Sequence, residues 1–265
     1  MFILLPPSEA KSPGGKGFPW RSASTDPTLV LGAGSALGDV RLKILSEVAA
    51  LCAEDRVGAA VALKLPAGAV DDACVRNAGV FDCYTMPALD RYTGVLYDGL
   101  DVASMTRAMR RAADASVLVF SGGLGIVRGS DLVPWYRVPA SARLPIGGTV
   151  AASWRGALAS EVPAVLGDRF VVDLRSSDYA GLWRPPAGRV VAIRVLQQRK
   201  AGRKRVEQVV SYHSKLVKGH VARALVEAAA RRRPAKNADD VGRIAAGLGL
   251  DVRPLQGGLD LVDIG

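Results

Sequence analysis

The chain has 265 residues, of which 49% are hydrophobic, and a formal net charge of +10. This composition excludes a disordered chain, and the length suffices for one large domain with a buried core. The sequence contains no run of about 18 apolar residues and no basic leader before Pro6, so we expect no membrane span and no signal peptide.

Cysteine and histidine are rare in this sequence. The three cysteines, Cys52, Cys74 and Cys83, are odd in number and form no C-x-x-C pair, which indicates reduced thiols. Only two histidines are present, His213 and His220, and two ligands do not make a zinc site. We therefore expect a cytoplasmic protein without a metal or another cofactor.

The first half of the chain predicts one strand followed by helices. Residues 2–5, FILL, are apolar and precede two prolines, which is typical of a short buried strand. The Gly/Pro-rich loop that follows contains Lys11 but lacks the spacing of a P-loop. A helical period over residues 38–56 predicts a helix, and further helices are predicted near residues 69–79 and 101–113.

The second half predicts two buried strands, a hairpin and two helices. Residues 116–131 begin as an apolar strand and end in glycines, and residues 169–183 form a strand followed by a polar cap. The segments RVVAIRVLQQ and KRVEQVVSYHS alternate like paired strands, which predicts a hairpin whose tip, RKAGRK, is basic. Helices are predicted from Ser214 to about Arg233 and over residues 239–248, and DLVDI is predicted to be a final strand.

The order of these elements predicts the fold class. Strands and helices interleave without strict βαβ repetition, and no internal repeat or low-complexity segment is present. We therefore expect a mixed α/β fold, with residues 1–265 forming one compact domain in which helices flank a mixed sheet.

Positive charge is concentrated in one part of the chain. Between Arg199 and Lys236 there are twelve Lys and Arg residues against two acids, Glu207 and Glu227. Such a concentration favours a polyanion or phosphate partner through attraction and counterion release. A solvated helix surface explains the same charges, and composition does not decide between these interpretations.

Polar residues follow the predicted strands in four places, at residues 9–12, 121–128, 175–179 and 211–218. Strand ends and their loops gather into clefts, so these groups predict one cationic cleft. Glu9, Asp131 and Asp178 are candidates to compensate part of its charge. The predicted binding residues are Lys11, Ser12, Ser121, Arg128, Arg137, Arg175, Ser211, Lys215, Lys218 and Gly219.

Gly219 lies inside a predicted helix, where glycine costs about 0.5–1 kcal/mol relative to alanine. A close packing neighbour or a ligand against the backbone explains a glycine there, and so does sequence drift. The two lysines before it, Lys215 and Lys218, are three residues apart and share one helix face.

Five segments together resemble the YaaA family: LLPPSEAKS, RYTGVLYDGLD, SGGLGIVRGSDLVPWYR, VVDLRSSDYA and SYHSKLVKGH. The similarity runs in order from residue 2 to about residue 230. The resemblance implies protection from hydrogen peroxide, limitation of intracellular iron, DNA binding, and a compact mixed α/β fold with a basic cleft and a helix-hairpin-helix-like element. The matching residues are Lys11, Ser12, Tyr92, Tyr97, Ser121, Arg128, Asp131, Tyr136, Arg137, Ser176, Tyr179, Ser211, Lys215, Lys218 and Gly219.

The chain departs from the family pattern at several positions beside the predicted cleft. The family has proline at Gly129 and a Met-Gly pair at residues 140–141, where this chain has Ala140 and Ser141. These departures indicate a diverged member of an actinobacterial type, whose partner or chemistry differs from that of the stress protein. The remaining departures are Ser153, His213, Ser214 and His220.

Three hypotheses about function follow. In the first, the basic cleft and the region from Arg199 to Lys236 bind DNA by its shape or damage rather than its sequence. In the second, the protein is an enzyme for a small phosphate- or carboxylate-bearing substrate, such as a nucleotide or an acyl or amino acid derivative. Lys215 or Lys11 is then a clamp or a base, and Ser121 or Ser176, together with Tyr179, donates hydrogen bonds to developing negative charge. In the third, the basic stretch is only surface.

Overall fold

The computed structural model describes residues 1–145, 147–186, 188–201 and 204–263, and the side chains of all of these except 199–201 and 204–205. The strands are β1 (Phe2–Leu5), β2 (Met86–Pro87), β3 (Val117–Ser121), β4 (Gly125–Arg128), β5 (Leu132–Val133), β6 (Val171–Asp173), β7 (Val190–Ala201), β8 (Lys204–Gln208), β9 (Asp251–Leu255) and β10 (Gly258–Asp263). The helices are α1 (Trp20–Ala23), α2 (Ala36–Glu54), α3 (Arg56–Ala62), α4 (Val70–Ala78), α5 (Ala88–Arg91), α6 (Val95–Leu100), α7 (Arg107–Ser116), α8 (Val150–Leu166), α9 (Ser177–Ala180), α10 (Ser211–Ala230) and α11 (Ala238–Ala246).

One eight-stranded mixed sheet organises the molecule. Its strand order is β4-β3-β1-β6-β7-β10-β9, and β8 pairs with β7. The neighbours β3, β1, β6, β7 and β10 are parallel, whereas β4, β8 and β9 each run antiparallel to their partners. A separate two-stranded sheet pairs β2 with β5. The predicted single mixed α/β domain with a mixed sheet and flanking helices is therefore confirmed.

The centre of the sheet is also the centre of the core. Every residue of β1 and β3 is buried, as is expected of parallel strands that are covered by helices on both faces. The short apolar runs that predicted these strands are continuous rather than alternating because neither face meets water. The sheet therefore gives a rigid base to the loops at its edges.

The helix predicted over residues 101–113 is shorter than expected. α7 begins only at Arg107, because the side chain of Thr106 accepts a hydrogen bond from Met109 N and caps the helix there. Asp101 has a positive φ of 47°, which breaks any helix at that residue. The long helix α8 is not predicted from the sequence, since Gly156 and Pro163 interrupt its pattern.

The predicted hairpin is present as β7 and β8, which pair from Gln197 opposite Gln208 to Ala201 opposite Lys204. Gly202 and Arg203, at its basic tip, lie outside the described residues. The helix that follows begins at Ser211, three residues earlier than predicted. α5 and α6 are joined by the three residues 92–94, and a helix-hairpin-helix-like element remains a prediction.

Among the described residues, no helix combines the length and the apolar character needed to cross a bilayer.

Candidate functional site

Three parallel strands end side by side at one edge of the sheet, at Leu5, Ser121 and Asp173. β1 lies between β3 and β6, and the chain places β3 on one side of β1 and then β6 on the other. In open α/β sheets, ligands bind outside the carboxyl ends of the strands at such a reversal of strand order. We call the region formed by residues 6–12, after β1, and residues 174–179, after β6, the crevice.

Lys11 lies in the crevice as a half-buried amine among aromatic rings. Its Nζ lies 4.5 Å from the ring centre of Tyr136, 5.4 Å from that of Tyr92 and 5.8 Å from that of Trp135. It donates a 2.6 Å hydrogen bond to the carbonyl oxygen of Ser8. Burial lowers the pKa of Lys11 to about 7, with Glu9 opposing the shift and nearby arginines adding to it. Near neutral pH the amine is therefore divided between its charged and uncharged forms.

A chain of three hydroxyl groups lies behind Lys11. The Tyr136 hydroxyl is 2.5 Å from the Tyr92 hydroxyl and 2.6 Å from Ser121 Oγ, and Ser121 Oγ accepts from Leu124 N. Burial raises the pKa values of Tyr92, to about 12, and of Tyr136, so both hydroxyls keep their protons at neutral pH. The three hydroxyl groups have three protons but form only two hydrogen bonds with one another. One proton, at an end of this row of hydroxyl groups, therefore has no acceptor among the described residues.

An ion pair lies beside Lys11. Arg137 Nε lies 2.9 Å from Glu9 Oε2, with the arginine mostly buried and the carboxylate half exposed. The Arg137 backbone is held by Asn77, whose side-chain oxygen accepts from Arg137 N at 2.9 Å. Burial, with Glu9 and Tyr92 nearby, raises the pKa of Tyr179. Tyr179 is therefore a neutral hydrogen-bond donor next to the same carboxylate.

The far side of the crevice is fixed by a buried ion pair. Arg175 binds both carboxylate oxygens of Asp173, at 2.9 and 2.8 Å, and its side chain is fully buried. Lys218 Nζ donates to the Arg175 carbonyl oxygen at 2.9 Å. Burial lowers the pKa of Lys218 to about 8, although Asp173 opposes the shift. This lysine therefore connects α10 to the loop after β6.

The structure thus brings Lys11, Ser121, Arg137, Arg175 and Lys218 to one edge of the sheet. Tyr92, Tyr136 and Tyr179 accompany them. Arg175 is bound to both oxygens of a buried carboxylate, whereas Arg137 contacts one oxygen of a half-exposed carboxylate, so the charge of Arg175 is compensated more fully than that of Arg137.

Arg128 and Asp131 lie at the opposite edge of the sheet. Because β4 is antiparallel to β3, Gly125 pairs with Ser121 and Arg128 pairs with Leu118, at the start of β3. Three residues of strand, about 10 Å, therefore separate Arg128 from the carboxyl edge. Asp131 accepts from the backbone N–H groups of Leu31 and Arg128, which gives it a structural role there.

The remaining residues predicted for the site lie outside the cluster around Lys11. Ser12 pairs with Arg91 through its backbone, and Ser176 is the residue before α9. Ser211 and Lys215 are exposed on the first turns of α10. Gly219 is buried where α10 crosses α6, so a packing neighbour explains this glycine.

The departures from the family pattern are dispersed. A Cβ at Gly129 would lie 2.7 Å from Leu89 Cδ1, at the edge away from the crevice. His213 Nε2 lies 2.9 Å from Asp263 Oδ2, whereas His220 is exposed on α10. Ser141 is exposed, and Ser153 and Ser214 are half-buried.

Sequence reasoning missed two buried arginines that hold the loops of this region. Arg91 is fully buried and donates to the carbonyl oxygens of Ser12, Gly14 and Tyr84. Arg41 is 1% exposed and donates to carbonyl oxygens, while its Nη1 has no partner among the described residues. Nothing in the local sequence separates such arginines from exposed ones.

The sequence is similar to those of known proteins. The sequence model of the family described as peroxide stress protein YaaA matches residues 1–240. A UPF0246 protein of Streptomyces coelicolor is 38% identical over 229 residues, which cover 85% of this chain and 83% of that protein. A UPF0246 protein of Corynebacterium efficiens is 35% identical over 264 residues, covering 97% and 96%. One from Corynebacterium glutamicum is 32% identical over 259 residues, covering 95% and 94%.

Proposed function

Because this chain belongs to the YaaA family of peroxide stress proteins, we propose that it acts in peroxide protection and does so by binding nucleic acid. The DNA contact is a cationic surface formed by α10 and the residues that follow it. Lys215, Arg231, Arg232, Arg233 and Lys236 are exposed there. Within the described part of the chain none of these five forms an ion pair, unlike Arg137 and Arg175 in the crevice.

The spacing of these cations carries the proposal. Lys215 lies on the first turns of α10, and Arg231 directly follows the last residue of that helix, sixteen positions later, which places the two residues about 24 Å apart along the helix axis. A small ligand does not span that distance, whereas duplex DNA presents a negative charge about every 1.7 Å of its axis. The exposed cations therefore suit an extended polyanion, which they contact through its phosphates and not through its sequence.

The neighbouring helix supports the same surface. α7 packs against α10, and an open groove of about 490 Å³ beside α7 is lined by Arg107, Arg110 and Arg111. Arg110 is bound to Asp90 and Asp114, whereas Arg107 and Arg111 are exposed. Arg107 and Arg111 therefore add two positive charges that a nucleic acid bound along α7 and α10 would contact.

Salt dependence tests the proposal. For binding of a labelled 20-base-pair duplex, the slope of log affinity against log salt is expected to be about −4.5 if five phosphates are neutralised. The triple substitution R231A/R232A/R233A is expected to reduce the slope by about 2.7. The control triple R21A/R56A/R189A removes the same charge from arginines that are already paired with Asp82, Asp71 and Asp168. A flat salt response, or equal effects of both triples, would count against nucleic acid binding.

The crevice supports a second candidate function, catalysis on a small anionic substrate. The observation that favours it is Lys11, an amine with a pKa near 7 beside Arg137, Tyr179 and a chain of hydroxyl groups. Groups with such shifted pKa values concentrate at functional sites, and this one lies at the reversal of strand order. Here Lys11 is the base or nucleophile, and Tyr179 donates a hydrogen bond to developing negative charge, while the buried Ser121 belongs to the hydroxyl chain behind Lys11.

Ligand binding in the crevice is tested separately from DNA binding. Isothermal titration with small phosphates and carboxylates is expected to give saturable binding that is lost in Lys11→Met. The control Lys16→Met changes an exposed lysine outside the crevice and is expected to leave binding unchanged. No saturable binding of any of these anions would contradict the second candidate.

A further inference from the structure

The surroundings of Lys11 resemble those that turn an amine into a nucleophile. Its Nζ is close to the rings of Tyr136, Tyr92 and Trp135 and donates to the Ser8 carbonyl oxygen. Within the described residues it forms no ion pair with a carboxylate. Lysines desolvated in this way among apolar groups and other cations are the ones that attack carbonyl substrates.

A carboxylate-binding group lies beside that amine. Arg137 uses Nε for Glu9, and its two Nη groups have no hydrogen-bond partner among the described residues. A guanidinium with free Nη groups binds a carboxylate with directed, charge-assisted hydrogen bonds. Arg137 is near enough that its charge lowers the pKa of Lys11. A ligand whose carboxylate binds Arg137 therefore brings its neighbouring atoms close to the amine.

On the basis of the second candidate function, we propose that Lys11 condenses with a small 2-oxo acid to form an imine, while Arg137 holds the acid's carboxylate.

The atoms of this step balance without a further reactant. The Lys11 nitrogen forms a bond to the carbonyl carbon, and the resulting carbinolamine loses its oxygen. That oxygen leaves as water with the two hydrogens of the neutral amine, so that amine and ketone give imine and water. No oxidant or reductant is needed, and hydrolysis reverses the step.

The other lysines provide the comparison inside the same molecule. With a pKa of about 7, half of Lys11 is uncharged at pH 7, whereas an ordinary lysine with a pKa of about 10.4 is uncharged in about one molecule in 2,500. The pKa of Lys218 is also lowered, to about 8, which leaves only about a tenth of this lysine uncharged at pH 7, and the neighbouring Arg175 is already bound to Asp173 through both carboxylate oxygens. Imine formation at neutral pH is therefore expected to select Lys11.

The experiment uses the full chain with pyruvate at pH 7 and sodium cyanoborohydride, which converts an imine into a stable secondary amine. Peptide mass spectrometry then measures the rate of labelling at each lysine. Labelling at Lys11 is expected to be at least tenfold faster than at Lys16 or Lys215. Arg137→Gln is expected to slow pyruvate labelling of Lys11 at least fivefold more than its labelling by acetaldehyde, which has no carboxylate and therefore reports only the change in the pKa of Lys11.

Two outcomes would overturn the proposal. One is labelling of Lys11 no faster than that of Lys16. The other is equal slowing of the pyruvate and acetaldehyde reactions by Arg137→Gln. Urea unfolding of the variant establishes that it is folded. If titration shows saturable anion binding but Lys11 is not selectively labelled, the crevice still binds anions and only the imine step is wrong.

Discussion

Gly219 of α10 lies directly against Gly99 of α6, so that the two helices meet backbone to backbone. A Cβ at Gly219 would lie 2.8 Å from Gly99 Cα and would overlap the carbonyl oxygen of Leu96. A Cβ at Gly99 would in turn lie 2.6 Å from the carbonyl oxygen of Leu216. The contact positions Lys218, one residue earlier, to reach the Arg175 carbonyl oxygen at the crevice.

Gly219→Ala is expected to lower the free energy of unfolding by about 1–3 kcal/mol, because the added methyl group forces the two helices apart. Urea unfolding followed by circular dichroism measures this change. Gly156→Ala is the matched control, since Gly156 lies within α8 and a Cβ there would meet no atom within 4 Å. That substitution is expected to raise the free energy of unfolding by about 0.5–1 kcal/mol. A neutral or stabilising Gly219→Ala would contradict the close contact.

Lys11→Met is expected to change how stability depends on pH. The pKa of Lys11 is lowered to about 7 in the folded chain, so between about pH 7 and 10 the unfolded chain binds more protons and stability rises with pH. Below pH 7 both states are protonated and the contribution is constant. The parent is therefore expected to gain stability relative to Lys11→Met as the pH rises from 7 to 9, by up to about 1.4 kcal/mol per pH unit.

Lys16→Met controls for the loss of one positive charge, because Lys16 is exposed. Its difference from the parent is expected to stay constant over the same pH range. A pH-independent difference for Lys11→Met would show that Lys11 keeps an ordinary pKa in the folded protein. Lys218, with its pKa lowered to about 8, contributes equally to both chains and cancels in this comparison.

Tyr136→Phe is expected to destabilise the protein by about 1–3 kcal/mol, since it leaves the buried hydroxyls of Tyr92 and Ser121 without their shared partner. Chemical denaturation measures the loss. Tyr84→Phe removes a hydroxyl from a side chain that is 58% exposed and is expected to change stability by less than about 0.5 kcal/mol. Equal effects of the two substitutions would mean that the hydroxyl chain contributes nothing.

Arg175→Ala is expected to cost about 3–5 kcal/mol, because it leaves the carboxylate of Asp173 buried and unpaired. The second change Asp173→Asn is expected to recover part of that loss, since it removes the uncompensated charge. Arg189→Ala breaks an exposed pair with Asp168 and is expected to cost less than about 1 kcal/mol. A loss for Arg175→Ala as small as that for Arg189→Ala would contradict the buried pair.

Local sequence pattern was sufficient for the elements that carry the site. The apolar runs before Pro6 and Gly122 predicted β1 and β3. The polar residues at the ends of these strands predicted that Lys11 and Ser121 would lie at the same edge of the sheet. The alternating segments around residues 190–208 predicted the hairpin. The family motifs pointed to the tyrosines that surround Lys11, although they did not indicate that Tyr92 and Tyr136 share a hydrogen bond.

By itself, the sequence determined the buried strands β1, β3 and β6, the hairpin of β7 and β8, and the family to which the chain belongs, because these depend on local periodicity and on motifs. Only the tertiary structure decided that Arg128 lies at the opposite edge from Ser121 and that Arg137 is bound to Glu9. Strand direction and this ion pair arise from contacts between segments that are far apart in the chain. The local sequence around each of these arginines does not show whether the arginine is bound to a carboxylate.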